Sequence, residues 1–398
     1  MRVLSRRQVL IGLSTAGLGT LLAAEHAARS AQGRPAAGPA GSDGRLVSDP
    51  FIAGEGGYSC YRTPGLAITQ AGTVLAFCGG RVDNCKDEGN IDVVLRRSSD
   101  GGRSWGPLQV LANDGPNPCK IPLPVVLPSG RILLLWLWNA SVKREADRGK
   151  RYVRITHSDD DGRSWAPSRD ITDQVRLRGW KPWYGIGPGH GIVKQLEPAA
   201  GRIVVPARHG RRGGGSASHL LLSDDGGQSW RVGAVAGYSP SSECTVAELG
   251  DGRLMLNSRS NGGRRIVSIS NDGGLSMASS GPDPQLIEPR NGCQASLLTY
   301  AFGPNRQATL LFSNPVDLEQ RTNGRLRLSR NNGQSWSRGF GYSDGPGSFS
   351  GYSDLARFAN GDVALLVEAG ASAVKARGRR RHDGISFQRI PFSMVAGA

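Results

Sequence analysis

The sequence predicts an all-β chain closed into a six-bladed β-propeller. Three observations carry that expectation. First, the pattern Ser-x-Asp-x-Gly-x-Ser-Trp recurs at residues 98–105, 158–165 and 223–230. Degenerate copies follow at 270–277, where Met277 replaces Trp, and at 329–336, where Asn331 replaces Asp. Second, the copies lie roughly fifty to sixty-five residues apart, about the length of one four-stranded blade. Third, the 398 residues include 57 Gly and 23 Pro without collagen periodicity, and no long amphipathic helical pattern follows the N-terminal region.

Within each repeat the residue types suit a tight hairpin. Strand-like runs such as 91–97, 220–222 and 326–328 precede the boxes, and Asp-Gly or Gly-Gly then supplies the turn. The Asp side chain can accept bonds from turn N–H groups, Gly gives positive φ, and the Trp is expected to pack across its hairpin. A group repeated around a ring serves every blade equally, so the boxes read as structural rather than as calcium or catalytic sites. Five boxes and one box-free blade make six. The last segment, 385–394, is placed to pair with N-terminal strands and close the ring. The basic run from Lys375 to Arg381 reads as a solvated hairpin tip.

The N-terminus carries Ser5-Arg6-Arg7-Gln8-Val9-Leu10 and then an apolar run diluted by Gly, Ser and Thr. That arrangement matches a twin-arginine export signal over residues 1–31, with small residues near Ala28 to Ala31 for cleavage. The apolar run is short for a membrane span, so no stable membrane insertion is expected after processing. Residues 32–48 then form a flexible lead-in and residues 49–398 the propeller. The expected location is periplasmic or secreted. A net charge of +16 comes with Arg spread along the chain and no nucleic-acid-binding motif, so an anionic substrate or envelope surface, or simple coding bias towards Arg, explains it better than nucleic acid. The six cysteines show no zinc spacing. Cys78 lies in an apolar run and reads as a buried thiol, and Cys85 with Cys119 is a conceivable disulfide. No metal or cofactor is expected, and His190 reads as a structural or rim residue.

Several short motifs interrupt this framework. Arg62 sits in Tyr61-Arg62-Thr63-Pro64, Arg259 closes Leu256-Asn257-Ser258-Arg259, and Arg321 precedes a run containing Arg325 and Arg327. Arginine cannot shed its proton to relieve crowding, so a cluster of three implies an anion. Tyr352 stands in Gly351-Tyr352-Ser353-Asp354-Leu355 after the last box. Glu243 and Glu248 flank one strand-like run at an odd offset, so only one of them can face a site on either side of it.

These motifs, in this order and joined to five boxes, resemble the bacterial exo-α-sialidases (neuraminidases) over essentially the whole mature chain. The resemblance implies a propeller that removes terminal sialic acids from glycans. It makes Arg62, Arg259 and Arg321 the clamp for the substrate carboxylate, and Glu368 in Leu366-Val367-Glu368 the partner that holds Arg62. It makes Tyr352 the nucleophile, Glu243 its base, and Asp87 the general acid/base on a loop, with Asp83 and Asp92 as alternatives. Arg81 corresponds to an arginine that contacts a sugar hydroxyl. A neutral Tyr suits an anomeric carbon bearing a carboxylate, because an Asp or Glu nucleophile would meet like charge. Residues 183–192 and Asn117-Pro118-Cys119 resemble further family segments. Sialyl transfer to a sugar, a related nonulosonic-acid glycosidase and a non-catalytic glycan-binding propeller remain as alternatives at this point.

Overall fold

The structure, a computed structural model, describes residues 44–141, 151–343, 347–369 and 384–398. The expected export signal, most of the lead-in and the basic run from Lys375 to Arg381 lie outside the described residues. Six antiparallel sheets stand around one axis, as the box spacing predicts. Blade I comprises Cys60–Ile68, Val74–Arg81, Ile91–Ser98 and Gln109–Ala112. Blade II comprises Cys119–Val126, Ile132–Asn139, Arg151–Ser158 and Arg169–Asp170. In blade III the inner edge is split: Tyr184–Ile186 and Ile192–Val193 both pair with Ile203–Gly210, followed by Ser216–Ser223 and Arg231–Val235.

Blade IV runs through Cys244–Glu248, Leu254–Ser258, Arg264–Ser270 and Ser279–Ile287. Blade V runs through Ser296–Phe302, Ala308–Pro315, Gly324–Ser329 and Phe340–Gly341. Blade VI takes Ser353–Arg357, Val363–Ala369 and Gly384–Ile390 from the C-terminal end, and its outer strand is Leu46–Ile52. Leu46 pairs with Arg389 and Ile52 with Gly384, which closes the ring by hydrogen bonds between the two ends of the chain. The first propeller strand thus begins at Leu46.

Apolar layers between neighbouring blades form the core. The strand Ile132–Asn139 shows why its sequence is a continuous apolar run. Ile132, Leu134 and Trp136 pack toward blade I, while Leu133, Leu135 and Leu137 pack toward blade III. Both faces are covered, so alternation with polar residues is unnecessary.

The boxes are structural, as expected. Asp100 accepts bonds from the Ser104 N–H at 2.9 Å and from Ser98 Oγ at 2.7 Å, and Asp160, Asp225 and Asp272 repeat the pattern. Two of the tryptophans differ from expectation. Trp105 meets Phe387 of blade VI edge-on at 5.3 Å, and Trp165 meets Phe77 of blade I at 5.9 Å. They tie one blade to the previous one instead of covering their own hairpins. The box glycine makes this possible, since a Cβ on Gly102 would overlap the Phe387 ring.

The cysteine pairing also differs. Cys85 is bonded to Cys60, and Cys119 is a free, buried thiol, as is Cys78. Cys60 lies opposite Arg81 at the end of the ladder, so the loop that follows Arg81 folds back over it. Cys119 instead faces the apolar layer between blades I and II.

Candidate active site

One end of the ring gathers the residues that the sequence scatters. Arg62 lies at the start of the inner strand of blade I, Glu243 just before that of blade IV, and Tyr352 just before that of blade VI. Tyr352 Oη donates a short hydrogen bond to Glu243 Oε1. Arg259 Nη1 bridges the pair, 2.8 Å from Glu243 Oε2 and 3.2 Å from Tyr352 Oη. The guanidinium carbons of Arg62 and Arg321 lie 5.8 and 5.3 Å from the Tyr352 ring centroid. Three arginines from blades I, IV and V therefore surround one phenol. Glu248 points the other way, into a buried ion pair with Lys194 and bonds to the Gln195 and Leu196 N–H groups.

Glu368 is fully buried behind Arg62. Its Oε1 accepts the Thr63 N–H at 2.8 Å and lies 3.5 Å from Arg62 Nε, while Oε2 is 3.4 Å from the Tyr352 N–H. Thr63 has φ 60°, a conformation a β-branched residue seldom adopts. The strained residue shifts the strand register between Arg62 and Gly65, which a functional constraint explains better than local preference.

Asp87 sits on the loop anchored by the Cys60–Cys85 bond, with its side chain 69% exposed. It pairs with Arg81 at 2.8 Å and approaches Arg62 at 3.6 Å. Desolvation would raise its carboxyl, but Arg81, Arg62 and Lys120 outweigh that and bring it down to about 2. Asp83 is exposed in the same loop without an ion pair to Arg62 or Arg81. Asp92 is buried in blade I and receives bonds from Tyr58 Oη and Asn113 Nδ2, both at 2.6 Å. Arg81 is 1% exposed, and its guanidinium serves the carbonyls of Cys85 and Lys86 as well as Asp87. It lies beneath the loop and holds it, so a sugar contact from Arg81 does not fit this geometry.

Comparisons with known proteins point to one family. The BNR repeat-like domain family matches residues 72–365. Sialidase-3 of Mus musculus is 30% identical over 384 residues, covering 78% of this chain and 87% of that protein. The chain belongs to the sialidase family. A sialidase of Micromonospora viridifaciens is 31% identical over 389 residues, covering 93% of this chain; this chain spans 59% of that protein's length. The solved structure of the Hadza microbial sialidase Hz136 superposes with a TM-score of 0.75 at 26% identity, covering 88% of this chain and 69% of that one.

This sialidase-family site also contains residues that the motifs do not mark. Arg208 Nη1 lies 3.0 Å from Glu243 Oε1, so Glu243 is shared by Arg259, Arg208 and Tyr352. Lys120 Nζ donates to the Asp87 carbonyl at 2.7 Å. Arg208 lies mid-strand with no neighbouring motif. Lys120-Ile121-Pro122 does carry a signal, since it repeats the Arg62-Thr63-Pro64 pattern one blade on. His190 is buried with Nδ1 2.7 Å from Asp354 Oδ1, a structural placement.

Proposed function

We propose that the protein is an exo-α-sialidase that hydrolyses terminal α-linked sialic acids of glycoconjugates with retention, through a covalent intermediate on Tyr352. The observation that carries this is the Tyr352–Glu243 hydrogen bond inside a ring of Arg62, Arg259 and Arg321. A free tyrosine has a pKa near about 10 and needs a base. Glu243 accepts the phenol proton as Oη bonds to the anomeric carbon. The bond to the leaving oxygen breaks in the same step, and Asp87 donates the proton that oxygen needs. Water then attacks the same carbon, gives its proton to Asp87, and displaces Tyr352, which recovers its own proton from Glu243.

Arg62, Arg259 and Arg321 fix the carboxylate, and each charge-assisted contact contributes roughly 1.5–3 kcal/mol. Arg81 and Glu368 act as positioning residues for Asp87 and Arg62. A proton donor must be protonated when it acts, yet Asp87 in the ligand-free site is held ionised by Arg81, Arg62 and Lys120. A bound carboxylate shares Arg62 and adds negative charge, and both effects raise the Asp87 pKa when substrate is present. Export by the twin-arginine route to the periplasm or medium completes the proposal. The Cys60–Cys85 disulfide supports it, because such bonds persist mainly in oxidising compartments.

The test is release of a fluorogenic aryl sialoside by the wild type and by Tyr352→Phe. The wild type should turn over, and the variant should lose activity by orders of magnitude while still binding sialic acid. Comparable rates in the two proteins would remove Tyr352 as nucleophile. A wild type inert on every sialoside and related nonulosonic acid would instead leave a glycan-binding propeller.

A further inference from the structure

The carboxylate clamp draws on blades I, IV and V, with Tyr352 and Glu368 from blade VI. Blades II and III supply no part of it, yet they present cations to the same cleft. Lys120 comes from the first strand of blade II, Arg151 from its third, and Arg208 from the strand beside the inner edge of blade III. Lys120 contacts the Asp87 loop and Arg208 contacts Glu243, so both reach the candidate active site.

Lys120 is aimed by the device that aims Arg62. Ile121 has φ 59°, matching Thr63 at 60°, and the register shifts between Lys120 and Leu123 as it does between Arg62 and Gly65. Each cation is thus followed by a β-branched residue in left-handed backbone and then by Pro. Such conformations cost energy and concentrate at ligand sites. The two bulges pack on each other, since a Cβ at Gly65 would lie 2.7 Å from the Pro122 carbonyl oxygen.

Further facts distinguish this cluster from an ordinary salt-bridge network. Among the described residues, Lys120 and Arg151 make no ion pair with a carboxylate; their acceptors are the carbonyls of Asp87 and Tyr184 and the Asn139 amide. Arg208 has only a share in Glu243. Arg151 and Arg208 each bury an Nε–H with no acceptor, and both guanidinium groups lie over Trp183, at 5.1 and 5.3 Å from the ring centroid. Burial pushes Lys120 down to about 7, with Arg151, Arg81 and Arg208 adding to the fall against Asp87. Beside Arg208 a cavity of about 240 Å³, lined by Trp183, Ser216, Ser242 and Asn261, opens next to Glu243.

We propose that Lys120, Arg151 and Arg208 form a second oxyanion subsite in this cleft, so that the preferred substrate carries a second negative group besides the carboxylate on the arginine clamp. This rests on the sialidase reading and narrows it. Asp87, Glu243 and Glu368 are outnumbered by the cations around them, and one substrate carboxylate leaves the excess on blades II and III uncompensated. The oxyanion can be a sulfate ester on the sialyl unit or the carboxylate of a second, adjoining sialyl residue.

The experiment compares a neutral-aglycone sialoside with side-chain-sulfated sialosides and with an α-linked disialoside. It reads kcat/KM for the wild type and calorimetric affinity for Tyr352→Phe. At least one charged substrate should be favoured about 10-fold, equivalent to about 1.4 kcal/mol, and the preference should shrink in 0.5 M salt. Adding Arg151→Gln should bring the ratio of charged to neutral substrate close to one, whatever it does to either value alone. Preference for sulfate or for the disialoside identifies the source of the oxyanion. Charged substrates handled no better than the neutral one, or a preference that survives both Arg151→Gln and Lys120→Met, would overturn the subsite. If no substrate is cleaved, the hydrolase reading fails by itself, because the calorimetric ratio reports the subsite without bond cleavage.

Discussion

Replacing Glu368 by Gln removes one charge from the interior while keeping its shape. Glu368 is 0% exposed on its side chain and Arg62 13%, at 3.5 Å between Oε1 and Nε. The glutamine oxygen can still accept the Thr63 N–H, but its NH2 then faces the Tyr352 N–H, donor against donor. Removing one partner of a buried ion pair costs roughly 3–5 kcal/mol. Arg62 keeps some solvent and lies 3.6 Å from Asp87, so the low end applies. A loss of about 3 kcal/mol corresponds to an unfolding constant raised about 100-fold. Urea unfolding followed by circular dichroism should show a lower midpoint at unchanged slope. Saturating sialic acid should recover part of the loss, because its carboxylate supplies the charge that Arg62 has lost. A variant within about 0.5 kcal/mol of wild type would refute the view that Glu368 is what holds Arg62.

Three other outcomes follow from the same contacts. Substrate binding raises the Asp87 pKa from about 2, so the basic limb of kcat against pH should lie at higher pH than that of kcat/KM; coincident limbs would count against Asp87 as the acid. Reducing the Cys60–Cys85 bond should slow sialosides with alcohol leaving groups by several-fold to about 10²-fold, within what acid catalysis supplies, and spare aryl sialosides with acidic leaving groups. Burial lowers His209 to about 4 and His219 well below its usual value, so the fold holds both neutral while the unfolded chain takes up protons below about 6.5. Stability should therefore fall as pH drops from about 6.5 to about 4, by up to about 1.4 kcal/mol per pH unit per histidine, and His209→Gln should flatten that slope in denaturant titrations.

Much of this was legible in the sequence because the boxes repeat a local chemistry at blade spacing. Glu243 and Glu248 could be separated by strand parity alone, and the structure places them on opposite faces. The Cys60–Cys85 pairing was not legible. It depends on which way one loop folds back over a ladder end, and sequence separation carries no information on that. Arg81 was harder still, because its side chain turns under the loop that it appeared free to flank. Arg208 sits in an apolar strand, and only the register with Gly185 shows that space exists for it. Lys120 was readable in principle, through its Lys-Ile-Pro echo of Arg-Thr-Pro, but the aim of that lysine depends on a positive φ that residue names do not disclose.

The seam between Leu46–Ile52 and Gly384–Ile390 bears on how the fold comes into being. Tyr352 and Glu368 belong to the blade that this seam completes, and the outer strand of that blade precedes every other described strand in the chain. That strand must wait, unpaired, until its partner Gly384–Ile390 has been made. A chain halted before Gly384 could assemble five sheets and still lack the docking edge for its own beginning. Termination or clipping that removes Gly384–Ile390 should therefore yield a silent product, and an open ring leaves a bare strand edge free to pair with another chain.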